Sequence, residues 1–142
     1  MIESKDLRIG NLVNEEVLGD CQVSGISKET VWVEVKNIKS NGSHNLREFH
    51  ININFLKPIP LTEEWLLKFG FSKNENDVLQ IETTLMPLSI TLSDNYPDEK
   101  YKAWVYEDEN SSYHIISDNI KYVHQLQNLY FDLTNEELTL NK

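Results

Sequence analysis

The chain has 142 residues, with 13 Lys and Arg against 23 Asp and Glu and a formal charge of −10. That length holds one ordinary domain or two small lobes and excludes two large ones, while the charge opposes DNA or RNA binding through a broad basic face, because phosphate neutralisation supplies most of such affinity. The lone Cys21 admits no internal disulfide, the charged start from Met1 to Asp6 lacks the apolar stretch of a secretory signal, and no apolar run approaches the roughly twenty residues of a membrane helix, so a cytoplasmic location without a membrane partner is expected.

Short β-branched and apolar runs at residues 7–13, 21–26, 30–35 and 47–53 are parted by Gly10-Asn11, Gly19-Asp20, Gly25 and Asn41-Gly42-Ser43, a strand-turn-strand rhythm. In the third run, period 2 sets Val31, Val33 and Val35 on one face and Thr30, Trp32 and Glu34 on the other. These runs predict a small curled sheet or SH3-sized barrel over residues 1–57. Lys57-Pro58-Ile59-Pro60 then marks a boundary, since neither proline donates a backbone hydrogen bond and each biases its predecessor toward extended conformations. Thr62 is a good N-cap, Glu63 and Glu64 suit the positive end of a helix, and Leu61 is placed to staple onto Leu66. A helix is therefore expected from Glu63 to Phe69, stopped by Gly70 in a left-handed cap with Phe71 folding back on Leu66.

Alternation resumes at residues 78–83, 88–92, 101–106 and 113–116 and predicts an antiparallel meander, whose third strand carries Tyr101, Trp104 and Tyr106. Val123, Leu126, Tyr130 and Leu133 recur at helical spacing, so a last helix is expected over residues 120–133, capped from Ser117, Asp118 or Asn119. Thr134-Asn135-Glu136-Glu137 has capping-box spacing and predicts one more short turn. The fold class is α+β: the β-rich lobe of residues 1–57, then an α-β-β-β-β-α lobe of residues 58–142, or both merged into one compact domain.

Lys36, Lys39, His44, Arg47 and His50 make one segment locally basic in an acidic chain. Such a cluster suits a small anionic ligand, with Arg47 and Lys39 meeting phosphate or carboxylate and Trp32 or Phe49 stacking on a ring. A solvated polar hairpin is the plainer account of the same residues. On the last helix His124, Gln127, Asn128 and Phe131 form a second stripe, either read by a ligand or partner or satisfied as interior contacts. His44, Glu48 and His50 lack a third or fourth ligand at a recognisable spacing, so no metal is expected, and nothing points to a cofactor. No nucleophile elbow, phosphate loop, HExxH or CxxC occurs; no catalytic residue is assigned and a binding role is favoured over an enzyme.

Three phrases carry a resemblance: Leu7-Arg8-Ile9-Gly10-Asn11; Pro58-Ile59-Pro60-Leu61-Thr62-Glu63-Glu64-Trp65-Leu66-Leu67-Lys68-Phe69-Gly70-Phe71; and Val123-His124-Gln125-Leu126-Gln127-Asn128-Leu129-Tyr130-Phe131. With Leu133 to Leu138 they resemble a family of small bacteriophage and prophage proteins to which no activity is attached. The resemblance implies a phage accessory protein in the cytoplasm of a bacterial host, expected to be a homo-oligomer. On that footing it would sequester a small anionic, nucleotide-derived immune signal as an anti-defence device, through Arg47, Lys39, His44, Trp32 and Trp104, with His124 second. The alternatives are an acidic interaction protein that inhibits a host protein, its carboxylates standing in for nucleic-acid phosphates, and an enzyme that cleaves the signal.

Overall fold

In the computed structural model, which describes residues 2–38, 44–83, 87–92, 101–106 and 113–140, the alternation read from Thr30 to Val35 organises the first of two units. This unit comprises Met1–Ile59 and Tyr122–Asn128; Pro60–Lys121 and Leu129–Lys142 form the other. Its sheet consists of β1 (Leu12–Glu15), β2 (Gly19–Ile26), β3 (Thr30–Ile38), β4 (His44–Asn52) and β5 (Leu56–Lys57), in the order β4-β3-β2-β1-β5 and antiparallel throughout. Every second side chain turns inward, so Val13, Cys21, Val23, Val31 and Val33 form a buried cluster with Ile2, Leu7, Ile53 and Leu56. Between β4 and β5 the chain makes a short 3-10 turn, Ile53–Phe55, begun by the Asn52 side chain accepting from Asn54 N–H at 2.9 Å. Among the described residues no ladder joins β4 to β5, so this curled sheet keeps two hydrogen-bonding edges.

The first strand begins at Leu12, later than the apolar run from Leu7 predicts. Asn11 is the reason: its Oδ1 accepts from Arg8 N–H at 2.7 Å, its own N–H donates to Arg8 O at 3.1 Å, and Gly10 adopts φ 98°, which closes a turn over residues 8–11.

In the second unit α1 runs over Glu63–Lys68. Thr62 Oγ1 accepts from Trp65 N–H at 3.4 Å, and beyond the Phe69 C-cap Gly70 N–H reaches Leu67 O and Phe71 N–H reaches Leu66 O, both at 3.0 Å. This is the Schellman pairing that the sequence predicts, with Gly70 at φ 95° taking the conformation a side chain would oppose. The meander follows as β6 (Ser72–Lys73), β7 (Leu79–Ile81), β8 (Leu88–Leu92), β9 (Tyr101–Tyr106) and β10 (Tyr113–Ile120), in the order β10-β9-β8-β7-β6. It buries Leu79, Leu88, Ile90, Tyr101, Ala103 and Ile120, and the unit also buries Leu66, Phe69 and Phe71.

The last helix, α2, spans Val123–Thr134, three residues shorter at its start than helical spacing predicts. Residues 117–120 extend β10 instead, with Ser117 opposite Ala103 and Ile120 opposite Tyr101, and Gln125 Oε1 accepts from Tyr122 N–H at 3.1 Å to cap the helix that follows. At the other end Asn135 takes φ 57° and donates its N–H to Phe131 O at 2.7 Å. Thr134 Oγ1 turns back to Tyr130 O at 2.8 Å, so the expected extra turn over residues 134–137 is not helical. Residues 122–128 belong with the first sheet and the remainder of α2 with the second unit, whereas the sequence boundary at residue 57 had set the whole helix after it. Among the described residues no helix is long and apolar enough to cross a membrane.

Candidate functional site

β3 and β4 pair over nine consecutive positions without a register shift. One face of this ribbon sets Val31, Val33 and Val35 opposite Ile51, Phe49 and Arg47; on the other, Trp32 stands opposite His50 and Glu34 opposite Glu48. The second face is open to solvent: Glu48 and His50 are exposed, and Trp32 and Glu34 are half-buried. Trp32 and His50 meet edge to face, ring centroids 5.3 Å apart at 67°. Beneath the indole, β2 bulges between Val23 and Gly25, bringing Gly25 opposite Trp32. A Cβ added to Gly25 would lie 3.2 Å from Trp32 Cε3, so the missing side chain is what lets the indole lie flat there. The aromatic surface is thus held from two sides before anything binds.

Glu34 and Glu48 are like charges at directly opposed positions, an arrangement that costs a sheet stability. Glu48 Oε2 accepts from Ser24 Oγ at 3.0 Å, and Gln22 stands opposite Glu34 on β2, but among the described residues no cation answers the pair. A cationic partner would convert that repulsion into attraction.

Of the residues named from the sequence, Trp32 and Arg47 leave this ribbon on opposite faces. Trp32 is on the face just described. Arg47 is an odd number of residues along the same ladder and projects from the opposite face, its guanidinium carbon 5.8 Å from the Phe49 ring centroid. Strand alternation therefore parts the cation from the indole meant to share its ligand. His44 opens β4 opposite Ile38, its side chain outside the described residues, as is the whole of Lys39. Trp104 belongs to the second unit, in β9 between Ser89 and Ile115, with the Lys102 ammonium 5.8 Å from its ring centroid. Glu34, Glu48 and His50 were missed as a group; the acidic residues are visible in sequence, but only the register shows them adjacent.

His124 is 4% exposed, stacked on Tyr122 with ring centroids 5.9 Å apart and planes 8° from parallel, and its buried Nδ1 has no hydrogen-bond partner among the described residues. Its stripe is interior in character: Gln127 and Asn128 spend their amides on the chain around residues 6–12. Gln127 Oε1 accepts from Leu12 N–H at 2.8 Å and its Nε2 donates to Gly10 O at 3.2 Å, while Asn128 Oδ1 accepts from Asn11 Nδ2 at 2.9 Å. Burial holds the His124 imidazole below its ordinary pKa, outweighing the Asp6 carboxylate that acts to raise it, and the helix start beside it also disfavours a positive charge. Because the folded state prefers the neutral ring, its contribution is complete above the ordinary value of 6.5 and is lost as pH falls through the lower folded-state value. Urea midpoints of the wild type should drop between about pH 7 and 5, where free histidine titrates but most carboxylates do not. His124→Gln should flatten that drop; equal slopes in the two proteins would remove His124 as its source.

Nucleophilic chemistry finds no support at Cys21, whose thiol lies 3.6 Å from Val13 O and is pushed up to about 11 by burial, with Asp20 and Glu15 adding to it. Among the described residues no group of three His, Cys, Asp or Glu side chains is placed to hold a metal ion. A hollow of about 360 Å³ in the second unit is lined by Leu79, Ile90 and Tyr101, with Lys73, Glu63 and Asp77 also on its wall. Lys73 is already bound to Glu63 at 2.8 Å, so an anion there would displace one carboxylate and face another. Compared with known proteins, the chain matches no family model, no curated protein and no solved structure.

Proposed function

We propose that the protein is a non-catalytic binding module that recognises a basic segment of another protein through the outer face of its first sheet. The observation that carries this reading is the opposed pair Glu34 and Glu48 beside the preset Trp32–His50 rings. Two adjacent carboxylates attract a lysine or arginine head group, and a fixed indole next to them offers its π-face to the same cation or its apolar stem. The net charge of −10 adds long-range attraction for a basic partner and opposes a small anionic ligand. With Arg47 on the other face, an anion stacked on Trp32 would meet carboxylates rather than the guanidinium, which leaves less support for sequestering a nucleotide-derived signal. The phage-like phrases add the proposed setting: an accessory protein acting on a protein of the bacterial host.

The test uses a fluorescein-labelled, lysine-rich peptide and the intact chain. Binding should weaken as salt rises. The double variant Glu34→Gln, Glu48→Gln should lose about tenfold in affinity, roughly 1.4 kcal/mol, while being slightly more stable to urea than the wild type because the like-charge pair is gone. Unchanged affinity in that variant would place the attraction elsewhere on the chain and end this reading.

A further inference from the structure

Among the described residues four strands end the two sheets, and three of them are blunted. β5 and β6 are two residues long, and β10 shifts register between Ile115 and Ser117 and again between Ser117 and Ile120. Shortness and bulges are the usual means by which sheets keep their outer strands from pairing with other chains. β4 has neither, being nine residues long and in continuous register with β3.

The phase of its hydrogen bonds follows from the two flanking bonds. Ile53 N–H donates to Glu29 O at 2.9 Å, one step past the Thr30–Asn52 pair, and Thr30 O is spent on the other side of β3, accepting from Ser27 N–H at 2.8 Å. Bonded and non-bonded pairs alternate along an antiparallel ladder, so residues 47, 49 and 51 give their backbone groups to β3. Glu48, His50 and Asn52 turn theirs toward the open edge, and all three residues are exposed. Among the described residues, none makes a backbone hydrogen bond to those three groups across the edge.

We propose that β4 is a docking edge to which an extended, basic segment of a partner protein adds as a sixth strand. This rests on the function proposed above and specifies how that partner is held. The added strand takes N–H and C=O bonds from Glu48, His50 and Asn52, and its alternate side chains fall on the face of Trp32, where lysine or arginine meets Glu48 and Glu34. A second copy of this chain is the disfavoured occupant, because it brings another −10 charge and a second Glu34–Glu48 pair to the same edge.

The experiment measures fluorescence anisotropy with a labelled nine-residue peptide of alternating lysine and threonine, and with the same peptide N-methylated at every backbone amide, which keeps its charge but cannot join a ladder. Strand addition predicts that methylation weakens binding by about tenfold or more. It also predicts that His50→Pro abolishes the difference between the peptides, since it removes an outward N–H and no bond to β3, whereas His50→Ala, which keeps that N–H, preserves it. Slowed hydrogen exchange at the Glu48 and His50 amides in the complex would place the peptide on this edge. Equal binding of both peptides to the wild type would overturn strand addition while leaving the acidic face intact, and failure of both to bind at low salt would overturn the face as well. A concentration-dependent dimer that His50→Pro dissociates would make a second copy the occupant and also overturn the proposal. Should His50→Pro fail to fold, the peptide pair on wild-type protein still decides.

Discussion

Gln127→Ala is expected to cost about 2–4 kcal/mol of stability, more than a typical surface or half-buried substitution. Gln127 is 2% exposed, and its one amide serves two backbone groups, accepting from Leu12 N–H and donating to Gly10 O. Truncation leaves Leu12 N–H without its acceptor, leaves Gly10 O with Gln22 Nε2 at 3.2 Å as its other side-chain donor, and opens a cavity where the side chain stood, and an unmet buried donor costs more than a made bond gains. Gln127→Glu separates the two effects: a carboxylate still accepts from Leu12 but presents an oxygen to the Gly10 carbonyl and carries a charge into the interior. Both variants should lower the urea midpoint in equilibrium unfolding followed by circular dichroism, the glutamate at least as much as the alanine at neutral pH. A loss below about 0.5 kcal/mol for alanine would mean that water replaces the amide without penalty.

Phe69→Ala should cost about 3–5 kcal/mol by the same measurement. The side chain is 2% exposed, lies 5.9 Å from the Trp65 ring one helical turn earlier, and occupies the C-cap of α1, where Phe69 N–H donates to Trp65 O at 3.0 Å. The helix is only six residues long and has little intrinsic stability, so packing rather than propensity holds it. Gly70→Ala leaves the core full and charges only the left-handed conformation, about 1–2 kcal/mol. A smaller loss for Phe69→Ala than for Gly70→Ala would show that α1 is held by its cap and not by its buried ring.

Local signals explain what could be read in advance. All the residues that start and stop α1, from Leu61 to Phe71, lie within eleven positions, so each could be judged without knowing the fold. The alternation of Val31, Val33 and Val35 was equally self-contained. Ser117, Asp118 and Asn119 misled because they are good helix caps that lie instead in β10, where Ser117 and Ile120 pair with β9, a tertiary preference that residue type does not reveal. Two-residue strands such as β5 and β6 are too short to show a period. The site failed to show for a related reason: whether residue 47 or residue 48 shares a face with Trp32 depends on the pairing register across the hairpin, and a slip of one residue exchanges the two faces. Sequence alone offered Arg47 either Trp32 or Phe49 as a neighbouring ring; the register puts Phe49 on its face and groups Glu48 and His50 with Trp32. His124 was legible as part of a helical stripe, but the interior amide bonds of its neighbours were not.

The amides of Gln127 and Asn128 also set an order of events during synthesis. All five strands of the first sheet have been synthesised once residue 57 is made, yet among the described residues buried Asn11 finds the partner for its side-chain N–H in Asn128, 117 residues later. Until then Leu12 N–H also lacks the acceptor it has in the finished protein, and Gly10 O has the Gln22 amide but not that of Gln127. The nascent first sheet is therefore an unfinished structure waiting on the end of its own chain, and the contacts that complete it are among the most sequence-distant the molecule makes, the kind that slow folding and prolong exposure to chaperones.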